Sequence, residues 1–172
     1  MCNRKLTIIA LTAFVLLAGF CFYLILKSPN PQPIITPTPT ASQEFMTLKV
    51  YYNNPESGEE FSCNKVLPVT RQIPKTQGVA RAALEELFKG PTDEEKKQGY
   101  STSIPSGVKI QSLNIENATA KIDFDEQLDF QVGGSCRVAA IRSQITETLK
   151  QFPTIKTVII SINGRTGDIL QP

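Results

Sequence analysis

The sequence has no histidine and no tryptophan. Histidine is the side chain whose unperturbed pKa lies nearest neutrality. Its absence removes Ser-His and Cys-His pairs, the usual general base and the commonest metal ligand together. A net charge of one sign is missing as well. The 18 Lys+Arg and 16 Asp+Glu leave +2, and that surplus sits at the N-terminal end, where Arg4, Lys5 and Lys27 face Glu44 alone; the other 15 basic and 15 acidic residues cancel. A neutral body argues against an electrostatic nucleic-acid binder. The 172 residues suffice for one ordinary domain with something added, not for two.

What is added lies at the N-terminus. Residues 6–26, LTIIALTAFVLLAGFCFYLIL, run without a charge, and at about 1.5 Å per residue such a helix crosses a hydrocarbon core of roughly 30 Å. Arg4 and Lys5 precede the run and only Lys27 follows it, so the positive-inside rule predicts residues 1–5 in the cytoplasm and the rest across the membrane. The expectation is a single-pass anchor in the cell membrane with its C-terminal domain extracytoplasmic. Cleavage as a signal peptide is disfavoured, because the apolar run is too long and no small-x-small site follows it. Lipidation at Cys21 is also disfavoured, since Phe20 stands where a small residue is expected. Cys2 belongs to the same membrane end.

Residues 27–45 read as a linker. Five prolines between 28 and 43 fix φ and remove hydrogen-bond donors, so neither helix nor sheet propagates there. The folded domain is then 46–172. Met46, Leu48, Val50 and Tyr52 alternate with polar residues as in a half-buried strand. Residues 65–74 form a second extended segment that Pro68 confines to an edge or a bulge. From Thr76, read as an N-cap, the period becomes helical through Val79, Ala80, Ala83, Leu84, Leu87 and Phe88, and Gly90-Pro91 ends it. Thr92-Asp93-Glu94-Glu95 has capping-box spacing, so a short surface helix with a solvated charged face is expected.

Val108 and Ile110 share one strand phase and Leu113 and Ile115 the other, which predicts a bulge near Gln111-Ser112. A turn at Asn117 leads into a strand whose core positions are Ala118, Ala120, Ile122 and Phe124. Ser135 reads as the cap of a helix whose apolar face is Val138, Ile141, Ile145, Leu149 and Phe152. Residues 155–162 are nearly continuous and β-branched, as a central strand is, and Asn163-Gly164 turns the chain into a short tail. Together these predict an α/β (α+β) two-layer sandwich, with one mixed sheet of four to five strands and two main helices on one face. The other face, carrying Thr47, Lys49, Tyr51, Lys121 and Asp123, is left to solvent or to docking.

Two stretches resemble a known family: residues 87–124, with a Leu-x-x-Gly-Pro-Thr turn and a Ser-x-Ile-Pro-x-Gly segment, and residues 133–165, with Phe-Pro-x-Ile-Lys-x-Val. Both are similar to the GerMN domain family of sporulation and spore germination proteins. The resemblance implies a bacterial envelope protein, often membrane-anchored or lipidated. It also implies a fold similar to ring-building motifs, used for protein–protein contacts and not known for catalysis.

The residues that bear on chemistry divide as follows. Cys63 and Cys136 are the only cysteines of the outer domain, and a disulfide between them is expected. Asp123, Asp125, Glu126 and Asp129 suggest a calcium loop or a glycosidase pair, but Leu128 and Gly134 stand where an EF-hand needs Gly and Glu, so a solvated strand end is preferred. Ser135 fails the Gly-x-Ser-x-Gly frame at Arg137 and is read as a helix cap rather than a nucleophile. Asn117-Ala118-Thr119 matches a glycosylation sequon and is read as a turn. No catalytic residue, metal or cofactor is expected. The functional expectation is a non-enzymatic interaction or envelope-assembly module, meeting an envelope protein or itself. The alternative is a peptidoglycan or wall-polymer binder using Tyr51, Tyr52 or Tyr100.

Overall fold

The chain divides into two units, Met1–Ala41 and Ser42–Pro172. The computed structural model describes residues 43–55 and 62–171 of the second unit and, of the first, Tyr23, which is helical and exposed. Among the described residues no helix is long and apolar enough to cross a membrane. The anchor expected at 6–26 and the linker expected at 27–45 lie outside them, apart from Tyr23 and residues 43–45.

Strand β1 (Phe45–Tyr52) opens inside the stretch read as linker and pairs antiparallel with β2 (Leu67–Pro74). The period-2 reading holds: Leu48, Val50 and Tyr52 are buried, with Met46 packed beside them. Lys75 N–H donates to Glu44 O at 2.8 Å, which sets the alternation of the ladder. Met46, Leu48, Val50 and Tyr52 turn their backbone groups toward β2, while Phe45, Thr47, Lys49 and Tyr51 turn theirs away. Pro68 and Pro74 face Tyr51 and Phe45 across the ladder, so their missing N–H groups fall on the far edge of β2 and cost no hydrogen bond.

Helix α1 (Val79–Phe88) buries Ala80, Ala83, Leu84 and Leu87, and Gly90 follows it at φ 77°. Its N-cap is Gly78, not Thr76; the Thr76 hydroxyl instead accepts from Gly78 N–H at 3.2 Å, closing the turn before the helix. Helix α2 (Asp93–Lys97) starts on a capping box complete in both directions between Thr92 and Glu95.

Strands β3 (Ile110–Glu116) and β4 (Thr119–Phe124) pair antiparallel, with the register shift falling between Ile110 and Ser112 as the phase change predicts. Asn117 and Ala118 join them, both at positive φ (49° and 59°), which the tight hairpin turn requires. A 3₁₀ turn at Glu126–Asp129 buries Leu128, and α3 (Ser135–Lys150) follows. The α3 cap is Gly134 at φ 85°, so Ser135 is the first helical residue and its hydroxyl caps nothing. The predicted face is observed: Val138, Ile141, Ile145 and Leu149 are buried. Strand β5 (Thr157–Ile162) lies parallel to β4.

The fold class is mixed α+β, but among the described residues the single sheet is corrected to two: β1-β2 and β3-β4-β5. The strand read as central, β5, is an edge. Its apolar residues alternate, with Ile160 and Ile162 buried and Ile159 40% exposed. The centre belongs to β4, which takes β3 through a tight turn on one side and β5 through the α3 crossover on the other. Both sheets and both long helices nevertheless enclose one core, including Tyr52, Leu84, Ile122, Phe124, Ile141 and Ile162. Phe88 meets Phe124 edge to face, centroids 5.8 Å apart. The tail is docked: Ile169 and Leu170 are buried, and Arg142 Nη2 donates to Ile169 O at 3.0 Å.

Candidate functional site

Along the β1 edge that faces away from β2, α3 and the residue just past it place polar side chains against the backbone. Gln151, just past the helix end, accepts from Lys49 N–H through Oε1 at 2.8 Å and donates from Nε2 to Lys49 O at 2.6 Å. One carboxamide thus makes both hydrogen bonds that a residue of a neighbouring strand would make. Three residues earlier, Thr148 Oγ1 accepts from Tyr51 N–H at 3.1 Å. Further along, Asn53 exchanges backbone hydrogen bonds with Ser101 at 3.1 and 2.8 Å. Phe45 and Thr47 have no backbone partner on this edge among the described residues.

Below the edge runs a buried polar thread. Gln144, fully buried on α3, donates to Asn53 Oδ1 at 2.5 Å and accepts from Thr102 Oγ1 at 2.9 Å. Asn53 Nδ2 in turn donates to the carbonyls of Cys63 and Lys65. Cys63 is disulfide-bonded to Cys136, as the sequence leads one to expect, with Cα atoms 4.9 Å apart. The segment after β1 is therefore tied to α3 twice. Among the described residues no buried side-chain polar atom lacks a partner, as a low-dielectric interior requires.

A second cluster joins β2 to α2. Arg71 forms a two-pronged ion pair with Glu95 at 2.5 and 2.7 Å, each side chain 14% exposed. That hydrogen-bonded pairing holds the Glu95 carboxyl below the usual carboxylate range and raises the Arg71 guanidinium. Arg71 also lies 5.9 Å over the Tyr52 ring. The charged face of α2 was expected to be solvated; the capping-box spacing identified Glu95, but nothing local in the sequence pointed to Arg71.

Tyr52 is fully buried and donates to Leu87 O at 3.1 Å. Burial pushes its pKa up to about 12, with Arg71 working against that shift. A raised pKa means that the neutral form is favoured on folding. The contribution of Tyr52 to stability is complete below pH 10 and is lost as pH rises through about 12. In an alkaline titration followed by tyrosinate absorbance, the last of the 4 tyrosines to ionise should vanish in Tyr52→Phe. A Tyr52→Phe curve identical to that of the parent would refute this assignment.

The acidic residues serve the fold. Asp123 Oδ1 accepts from Ser161 Oγ at 2.7 Å and from Gly164 N–H at 2.8 Å, bracing the turn after β5. Asp125 accepts from Lys109 N–H at 3.0 Å, and Glu126 from Asn163 Nδ2 at 3.1 Å. Asp129 lies in the 3₁₀ turn, whose buried Leu128 fills the position where a calcium loop needs Gly. Among the described residues no cluster of His, Cys, Asp and Glu is placed to hold a metal. Ser135 is exposed at the start of α3.

Of the three tyrosines considered for wall binding, Tyr52 is internal and Tyr100 packs against the core. Tyr51 lines a surface groove of about 290 Å³ with Thr47, Leu48, Lys49, Thr70 and Gln151. Among the described residues that line it, Lys49 alone is charged. The groove lies beside the edge that Gln151 closes, so it is bounded by backbone as well as side chains.

This arrangement of sheets and helices is that of a GerMN-like domain. The chain is similar to the tandem GerMN domains of the sporulation protein GerM from Bacillus subtilis, with 27% identity and a TM-score of 0.57, over 70% of this chain and 40% of that one. It therefore spans less than half of the tandem structure. It is likewise similar to the first GerMN domain of that protein, with 25% identity and a TM-score of 0.54, over 70% of this chain and 85% of that one. No curated protein sequence matches it. The chain belongs to the Germane family of sporulation and spore germination, whose pattern matches residues 49–168.

Proposed function

We propose that this protein is a membrane-anchored, extracytoplasmic GerMN-like domain that acts as a non-catalytic protein-interaction or envelope-assembly module in sporulation or germination. The observation that carries this reading is how the polar groups are distributed. Asp123, Asp125, Glu126, Gln144 and the Arg71–Glu95 pair are committed to internal hydrogen bonds, while the β1 groove stays open at the surface. A disulfide-tied domain suits an oxidising compartment, and the apolar run at 6–26 supplies the anchor.

The second reading, binding to peptidoglycan, draws on the same groove, where the Tyr51 ring, two threonine hydroxyls and a lysine would suit a carboxylated glycopeptide. Crosslinking of the full-length protein in its membrane, followed by purification and mass spectrometry, separates the two. A protein adduct that disappears when residues 46–172 are deleted is the expected result. Enrichment of wall fragments alone would transfer the assignment to the second reading.

A further inference from the structure

We infer that the β1 edge is a strand-acceptor site that takes an extended acidic peptide segment of a partner protein, with Gln151 as its displaceable plug. The inference rests on the interaction reading above and names the chemistry of the partner. Phe45, Thr47 and Lys49 present their N–H and C=O groups away from β2. The first two are open among the described residues, and the third is held by the carboxamide of Gln151 in an exposed pair of hydrogen bonds. A carboxamide is chemically a peptide group, so its seat on Lys49 shows that this edge accepts peptide geometry. Beyond Lys49 the edge is closed, at Tyr51 by Thr148 and at Asn53 by backbone. An incoming strand therefore pairs along 45–49 and stops there.

Charge fixes what kind of segment fits. Among the described residues lining the groove, Lys49 is the one charged side chain, and Thr47, Thr70 and Tyr51 are neutral. At the open end Glu44 is ion-paired with Lys75 at 2.6 Å. A strand laid here places alternate side chains over the groove, where an acidic residue meets the Lys49 ammonium and a lysine is repelled. The exposed Phe45 ring, 63% accessible, offers apolar surface to a neighbouring aliphatic residue. The far edge of β2 is a poorer acceptor because Pro68 and Pro74 lack N–H donors there.

The test uses the full chain in detergent micelles with two capped hexapeptides, Ser-Val-Glu-Val-Glu-Thr and Ser-Val-Lys-Val-Lys-Thr, followed by amide NMR. The acidic peptide should shift the Thr47 and Lys49 amides and slow their hydrogen exchange, at a concentration at least about threefold below that needed for the lysine peptide. Gln151→Ala, which unplugs Lys49, should tighten the response by roughly fivefold. Thr47→Pro, which deletes an outward N–H that bonds nothing described in the fold, should abolish it.

Three results would overturn the inference. One is unmoved Thr47 and Lys49 amides with the acidic peptide; another is weaker binding in Gln151→Ala. The third is protection of Thr47 in Gln151→Ala without peptide at rising protein concentration, which would make a second copy of the chain the occupant. Failure of the interaction reading is distinguishable. The crosslinking above would then find no protein adduct, whereas failure of the strand-acceptor site alone leaves an adduct that Thr47→Pro does not diminish.

Discussion

Replacing Cys63 and Cys136 together by serine should lower the stability of the domain by about 4 kcal/mol and its Tm by on the order of 15 °C. The bond spans 73 positions, and in the chain-entropy treatment a loop of that length removes roughly this much freedom from the unfolded chain. The native state also gives the bond a local role. It pins the segment after β1 to the first turn of α3, beside the Asn53–Gln144 hydrogen bond that makes the same connection by polar contact. Cys136 is exposed and Cys63 half-buried, so a dithiol reductant should reproduce the loss without mutation. The measurement is thermal unfolding of the full chain with and without reductant, alongside the double serine variant. If the reduced parent and the variant unfold at the temperature of the oxidised parent, the disulfide contributes nothing to stability.

Breaking the ion pair from one side should be the next largest effect. Glu95→Gln keeps the size of the side chain but leaves Arg71 opposite a neutral amide in a site only 14% exposed. Removing one member of a fully buried pair costs about 3–5 kcal/mol. This pair retains some water, so about 2–3 kcal/mol is expected. Replacing both members by methionine should recover most of that loss, because no unpaired charge then remains. A double-mutant cycle by chemical denaturation checks this, and additive losses would show that the two residues do not act as a pair.

The pH dependence follows from the direction of the shift. The carboxyl pKa of Glu95 is lowered in the folded state by Arg71. Its contribution is therefore present above the ordinary carboxylate pKa and is lost as pH falls through the folded value. Acid unfolding of Glu95→Gln should accordingly be less steep than that of the parent below the ordinary carboxylate range.

The parts of the fold that were legible in the sequence are those that local pattern controls. The alternation in β1 and β4, the apolar faces of α1 and α3, the capping box at Thr92 and the bulge at Gln111–Ser112 each occupy a few consecutive residues. Two helix caps were misplaced by one or two residues. Thr76 and Ser135 have the right chemistry, but Thr76 closes the turn before Gly78 instead, and at the second boundary Gly134 takes the positive φ of 85° that favours glycine. The continuous β-branched run at 155–162 suggested a central strand, yet hydrophobicity does not report how many neighbours a strand has. Tyr52 was considered for a surface role because a tyrosine at a strand end has the same local pattern whether it meets solvent or, as here, the carbonyl of Leu87.

Composition, motifs and periodicity over a few residues already carried the family, the mixed α+β class and the exclusion of histidine chemistry, and they made a Cys63–Cys136 disulfide the expectation. Long-range packing settles that the described strands form two sheets, that Arg71 meets Glu95 and that Gln144, Thr148 and Gln151 run along β1 and its continuation at Asn53. Lys49 and Gln151 are 102 residues apart, and no local pattern marks a glutamine that will stand in for a strand. The physical reason is that a backbone edge is satisfied by whatever donors and acceptors packing brings beside it, and packing is settled by the core as a whole.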